Sequence, residues 1–182
     1  LDVIMLHQAG FDNAVATLGT ALTTEHLPLL KKGDPKIIMA YDGDKAGRNA
    51  GLKASKLLSA SGFDGGIVIF EQGLDPADMV KELRVDELSD MFRNPQPFIE
   101  FVLDEIISLY NLADPKAKEM AMQEATAYLK TLSPLLQEEY KTYLASRLGV
   151  SPSLVRVSSS TRVQTAPMNN PNKDMQELSI IK

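Results

Sequence analysis

The sequence predicts an α/β protein: a mostly parallel sheet with covering helices, followed by a small all-α bundle and a flexible tail. Three observations carry that expectation. Over residues 1–81, short apolar strand candidates alternate with helical segments, as in crossover-connected parallel strands. Over residues 98–150, apolar positions recur at helical spacing. From Ser158 onward, Ser, Thr, Asn and Pro dominate, the composition of a flexible linker.

Taken in order, Asp2 to Ala9 is helical, and Asn13 to Leu18 is a short strand candidate followed by Gly19 and Thr20. Thr23-Thr24-Glu25 opens a second helix, which Gly33-Asp34-Pro35 terminates. Lys36 to Tyr41 is the central strand, and Lys45 to Ser61 is a helix rich in Ala, Leu and Lys. Gly62 and Gly65-Gly66 are breakers before a short strand, Ile67 to Phe70. Beyond Val85 the character changes, with Pro95 and Pro97 as punctuation. Phe98 to Asn111 then carries an apolar helical stripe. Asp114-Pro115 and Ser133-Pro134 each pair a capping residue with proline at the first helical position. The helices they open are Lys116 to Thr131 and Leu135 to Leu148, the latter ending at Gly149, and Ser151-Pro152-Ser153 starts one more short helix. The expected division is residues 1–85, 86–157 and a 158–182 tail leading toward a further domain.

The chain has 182 residues, 44% of them hydrophobic, enough for one domain or two small ones with a real core. With no cysteine, disulfides and cysteine-ligated zinc are excluded, and a reducing, cytoplasmic setting is expected. No stretch approaches a membrane span and no signal peptide is visible. A net charge of −5 argues against a protein that simply coats nucleic acid. Such contact needs a local basic patch, a metal or a neighbouring domain. The first residue is Leu, so an excised fragment is expected.

The chemistry concentrates in Tyr41-Asp42-Gly43-Asp44-Lys45-Ala46-Gly47-Arg48, directly after the central apolar run. Open α/β sheets place ligands at the carboxyl ends of their strands. In extended chain, Asp42 and Asp44 project to one side about 6.7 Å apart. Two negative charges at that separation repel by about 2.5 kcal/mol at an effective dielectric of 20. A cation relieves the repulsion, and hard oxygen ligands point to Mg²⁺ or Mn²⁺. Gly43 permits close backbone approach to a ligand. The competing reading is a surface Asp-Gly turn.

In the helix that follows, Lys45, Arg48, Lys53 and Lys56 fall within about 140° of arc, with Ala46, Ala50, Ala54 and Leu57 opposite. No Asp or Glu occurs from Lys45 through Phe63. Such a helix start favours a phosphate. The bland alternative is a solvated lysine face. A second acidic cluster, Gly73-Leu74-Asp75-Pro76-Ala77-Asp78, follows the Ile67–Phe70 strand and is expected near the first. Asp75 is equally suited to cap the helix begun by Pro76, and Asp78 to complement that helix's dipole. Leu18-Gly19-Thr20-Ala21 either brings the Thr20 hydroxyl to the site or forms a simple turn. His7 and His26 lack ligand spacing, and there is no Ser-His-Asp set or GxxxxGK loop.

Leu1-Asp2-Val3 through Phe11, Ala14 through Leu22, Tyr41 through Arg48 and Gly73 through Asp78, in this order and spacing, resemble the bacterial DNA primases of the DnaG type. Residues 1–80 resemble their Toprim domain, a metal-binding fold shared with topoisomerases. Residues to about 150 are similar in layout to the helical segment that follows it in the RNA polymerase core. The resemblance implies a primosome enzyme of the bacterial cytoplasm. It would synthesise short RNA primers on single-stranded DNA from ribonucleoside triphosphates by metal-dependent nucleotidyl transfer. It implies Asp42 and Asp44 as catalytic residues and Asp42, Asp44, Asp75 and Asp78 as ligands of Mg²⁺ or Mn²⁺. Lys45, Arg48, Gly43 and Thr20 would meet nucleotide or nucleic acid. A replicative helicase would bind through a missing C-terminal domain. The family's catalytic glutamate would precede Leu1, so the fragment by itself is expected to be inactive. Ala77 stands where the family often has an aspartate, which displaces Asp78 by one position. The alternatives are another Toprim protein (a topoisomerase or repair nuclease), an aspartyl phosphotransferase, which the Asp-Pro-x-Asp cluster fits poorly, and a non-catalytic replisome interaction module.

Overall fold

A computed structural model describes residues 2–17, 21–71 and 74–157. The central pairing is between β1 (Ile37–Asp42) and β2 (Gly65–Phe70), which run parallel in register from Ile37↔Gly65 to Asp42↔Phe70. Two residues, β3 (Gln96–Pro97), add antiparallel to the outer edge of β2 at Gly66 and Ile67. The helices are α1 (Asp2–Gln8), α2 (Leu27–Leu30), α3 (Lys45–Ala60), α4 (Pro76–Lys81), α5 (Val85–Arg93), α6 (Phe98–Ser108), α7 (Pro115–Leu129) and α8 (Pro134–Leu148).

Strand alternation divides the core into layers. Met39 and Ile67 face α3 and α6, where they pack with Ala54, Leu58, Phe98 and Phe101. Val68 and Phe70 face the opposite side and pack with Leu6 of α1, Met79 of α4 and Leu88 of α5. A third cluster closes α6, α7 and α8 around Val102, Leu103, Leu129, Leu144 and Leu148, with Val155 and Val157 sealing its end. α6 is shared by the first and third clusters because it is apolar on most sides. A hydrogen bond of 2.8 Å between Ser59 of α3 and the Tyr128 hydroxyl of α7 adds a polar tie at the same junction. Burial pushes the Tyr128 phenol up to about 12.

Several expectations need correction. Residues 13–17 are not a strand; residues 15–17 line a cavity together with β1, and His7 Nε2 lies 2.9 Å from the Ala14 carbonyl. Leu18 lies outside the described residues. The helix opened by Thr23 is split into a 3-10 turn, Thr24–His26, and the four-residue α2 with Pro28 in its first turn. Gly65 is not a breaker but the first residue of β2. Its φ is 146°, and a Cβ there would overlap the Ile37 carbonyl, so glycine is what lets the two strands pair from their first residues. α5 and β3 went unpredicted: α5 spans nine residues, and β3 contains a proline, tolerated because it lies on an edge. The buried face of α3 is Gly51, Ala54, Ser55, Leu58 and Ser59, whereas Ala46 is exposed. The apolar stripe is therefore rotated from the expected one, and Arg48 lies toward the packed side.

Leu58 is completely buried between sheet and α6, so Leu58→Ala should lower unfolding free energy by about 2–5 kcal/mol in urea denaturation. Tyr128 predicts an alkaline transition. Its folded pKa, about 12, exceeds the ordinary 10.0. The stabilisation is complete below the unfolded value and is lost as pH rises toward the folded one. Stability should thus fall between about pH 10 and 12, and Tyr128→Phe should flatten that slope.

Candidate functional site

The register Asp42↔Phe70 sets the carboxyl ends of β1 and β2 level. The loops that leave them begin side by side, and each ends in an aspartate that caps a helix. Asp44 is the cap of α3, with Oδ1 accepting the Gly47 N–H at 2.6 Å. Asp75 is the cap of α4, with Oδ1 accepting the Asp78 N–H at 2.6 Å. Both have the extended backbone an N-cap requires, and proline follows Asp75 at the first helical position. Asp42 is exposed at the strand end, and its side chain forms no hydrogen bond or ion pair among the described residues.

A cavity of about 380 Å³ is lined by Asp2, Asp42, Gly47 and Pro76, together with Met39 and Phe70. The acids do not form one cluster. Among the described residues no three Asp, Glu or His side chains are placed to hold a metal together. Asp78 instead pairs with Lys81 at 2.8 Å. That hydrogen bond and the Asp78 charge, then Asp75 and Asp2, hold the Lys81 ammonium above its ordinary pKa against a smaller opposing desolvation. The donor set is nevertheless of one kind: carboxylate oxygens with no thiol in the chain, which suits a hard divalent cation.

Among the cations, Lys45 is exposed on the first turn of α3 and makes no ion pair among the described residues. Arg48 is engaged: its guanidinium pairs with Glu105 of α6. Gly43 occupies the turn between the two aspartates, and Thr20 lies outside the described residues. His7 and His26 bond locally, to Ala14 and Thr23, as expected of structural histidines.

Gly47, Glu105 and Lys81 were not singled out from the sequence. A Cβ at Gly47 would overlap the Asp42 carbonyl oxygen and sit 3.0 Å from its carbon, so α3 starts against the strand end itself. A small residue three positions past the aspartate was a usable signal. Glu105 lies 57 residues from Arg48, and local pattern says nothing about it.

Comparison with known proteins adds a second line of evidence. Residues 1–80 match a family described as Toprim-like, and residues 99–153 match the DnaB-helicase binding domain of primase. The chain is 55% identical over 148 residues to the DNA primase of Helicobacter pylori strain 26695, covering 81% of this chain and 26% of that protein. A DnaG primase catalytic domain solved with single-stranded DNA superposes with a TM-score of 0.75 at 25% identity, over 84% of this chain and 50% of that one.

The chain belongs to the DnaG primase family.

A primase domain from Pseudomonas aeruginosa is similar too, with a TM-score of 0.72 and 28% identity over 85% of this chain and 50% of that one. The chain spans about a quarter of the length of its Helicobacter relative. The match over 99–153 distinguishes the DnaG family from other Toprim proteins, since it falls on the helical part. The helicase-binding description falls on α6–α8, within the described residues. Catalytic cores of this family depend on metal.

Gly47→Ala should cost about 1–3 kcal/mol in urea denaturation, as forced overpacking does. Amide shifts should move at Asp42 and Asp44 while those of α7 stay in place.

Proposed function

We propose that this chain supplies the metal-binding and helical part of a primase that joins ribonucleotides on a single-stranded DNA template. The observation that carries the proposal is the pair Asp42 and Asp44, one at the end of β1, an edge strand of the described sheet, and the other capping a helix without a single acid. On this reading Asp42 and Asp44 hold Mg²⁺ or Mn²⁺, with Asp75 across the aligned strand ends as a further ligand. Asp78, tied to Lys81, has the weakest claim. When bound, the cation neutralises triphosphate oxygens and aligns them for attack by a 3′-hydroxyl. Lys45 and the first amides of α3 meet the phosphates, since a helix start favours negative charge. Gly43 keeps the loop between the carboxylates low enough for the triphosphate to approach. Thr20 is proposed as a further contact. Arg48 contributes phosphate affinity only where it exchanges Glu105 for the ligand.

Relatives support the partners. One DnaG neighbour was solved on single-stranded DNA, and the helical part matches a helicase-binding family. We therefore propose that α6–α8 contribute to contact with the replicative helicase in the bacterial cytoplasm. Among the described residues no helix is long and apolar enough to cross a membrane.

Asn caps a helix about as well as Asp. Asp44→Asn should therefore keep the melting temperature while weakening Mn²⁺ binding measured by electron paramagnetic resonance. Asp44→Ala should weaken Mn²⁺ binding and also cost about 0.5–2 kcal/mol. Unchanged Mn²⁺ affinity in both would sink the metal role. In the full-length protein carrying this chain, Asp42→Asn should lower primer synthesis from ribonucleoside triphosphates by about two orders of magnitude or more, the scale of several kcal/mol of lost charge stabilisation.

A further inference from the structure

The first turn of α3 is held from two directions. From below, the Asp44 carboxylate accepts the Gly47 N–H at 2.6 Å, and the Asp44 carbonyl accepts the Arg48 N–H at 2.9 Å. From the side, the Arg48 guanidinium is paired with Glu105. Arg48 is thus one residue with two attachments: its backbone closes the turn on Asp44, and its side chain reaches α6. Glu105 is mostly enclosed, with its side chain 21% exposed, while that of Arg48 is 47% exposed. A pair in that setting is screened less than a surface pair.

α6 is itself a fixed point. Asp104, the neighbour of Glu105, accepts hydrogen bonds from Gln96 Nε2 of β3 at 3.0 Å, from the Tyr143 hydroxyl at 3.0 Å and from Arg147 Nε of α8 at 2.7 Å. Three of these groups converge on one carboxylate, so this part of α6 is tied to both the sheet edge and the bundle. Glu105 extends that tie by one residue to the start of α3. The far end of α3 is tied to the same bundle through Ser59 and Tyr128 at 2.8 Å. α3 is therefore clamped at both ends, and among the described residues the Arg48–Glu105 pair is the side-chain clamp at the end that follows Asp44.

We propose that Glu105 is a positioning residue: through Arg48 it sets the first turn of α3, and with it Asp44, so that the helical bundle and the acidic strand ends move as one piece. The Arg48 guanidinium is then a structural cation in the free protein. The metal part of the test rests on the function proposed above; the structural part does not.

The experiment is amide hydrogen exchange by NMR on the 182-residue chain, with Mn²⁺ titration as a second readout. Glu105→Ala should speed exchange at Gly47 and Arg48 about tenfold or more, leave Leu129 of the bundle protected, and weaken Mn²⁺ binding. Glu105→Gln, which keeps a hydrogen-bond acceptor, should show a smaller change. Exchanging the two charges, Arg48→Glu with Glu105→Arg, should restore much of the protection. This rescue distinguishes the pair from a general packing loss, and it decides the matter if Glu105→Ala unfolds the chain. Unchanged exchange at Gly47 and Arg48 in a folded Glu105→Ala, or no rescue by the swap, would overturn the proposal. So would tighter binding of inorganic tripolyphosphate with unchanged exchange, which would make Glu105 a competitor for Arg48. If the wild-type chain binds no Mn²⁺ while the exchange responds as described, the positioning role stands and the metal reading falls.

Discussion

Parallel pairing of β1 with β2 places the chemistry. Parallel strands need long connections, so each strand delivers its carboxyl end to the same edge and a helix carries the chain back. With Asp42 opposite Phe70, the two strands end level, and the loops after them share one border. The same register demands close approach at the other end, where Gly65 lies against the Ile37 carbonyl. At the acidic end Gly47 allows the equivalent contact between α3 and Asp42. Two glycines, one at each end of the strand pair, thus permit the spacing on which the aspartate placement depends.

The placement of the candidate residues was legible in the sequence where its signals are local. Asp42 and Asp44 follow an apolar run, and Asp75 precedes a proline, so a strand end and a helix cap can be read from a few residues. The Asp114 cap and the Gly149 terminus, with its φ of 64°, followed the same logic. What was not legible depends on distant partners. β3 is two residues long and exists because β2 offers it an edge. Residues 13–17 have strand composition but are not a strand. The rotation of the α3 stripe is decided by α6, whose Phe101 and Glu105 meet the helix on the side that Ala46 and Leu57 do not occupy.

Charge is distributed unevenly in the same way. The chain is acidic, at −5, yet α3 carries four cations and no acid. These cations are not equivalent. Arg48 is neutralised by Glu105, whereas Lys45, Lys53 and Lys56 form no ion pair among the described residues. The attraction this helix offers a polyanion therefore comes from its lysines and its amide dipoles, and it is screened by salt over about 10 Å at 0.1 M. The guanidinium contributes geometry instead: it fixes where the turn bearing Asp44 sits.

Capping and metal binding are often treated as rival explanations of an aspartate, but the geometry here makes them compatible. A carboxylate has two oxygens and about four acceptor sites. In Asp44 and in Asp75, Oδ1 is committed to an amide of the helix it starts, which leaves Oδ2 for a cation. The cap removes rotational freedom from the side chain before a ligand arrives, so less is lost on coordination. Asp42 has no such tether, and nothing local requires a carboxylate there. Its exposed carboxylate keeps all of its acceptor sites available to a cation. On the proposed function, Asp44 and Asp75 act as preoriented ligands and Asp42 as an untethered one that orders only when the cation binds.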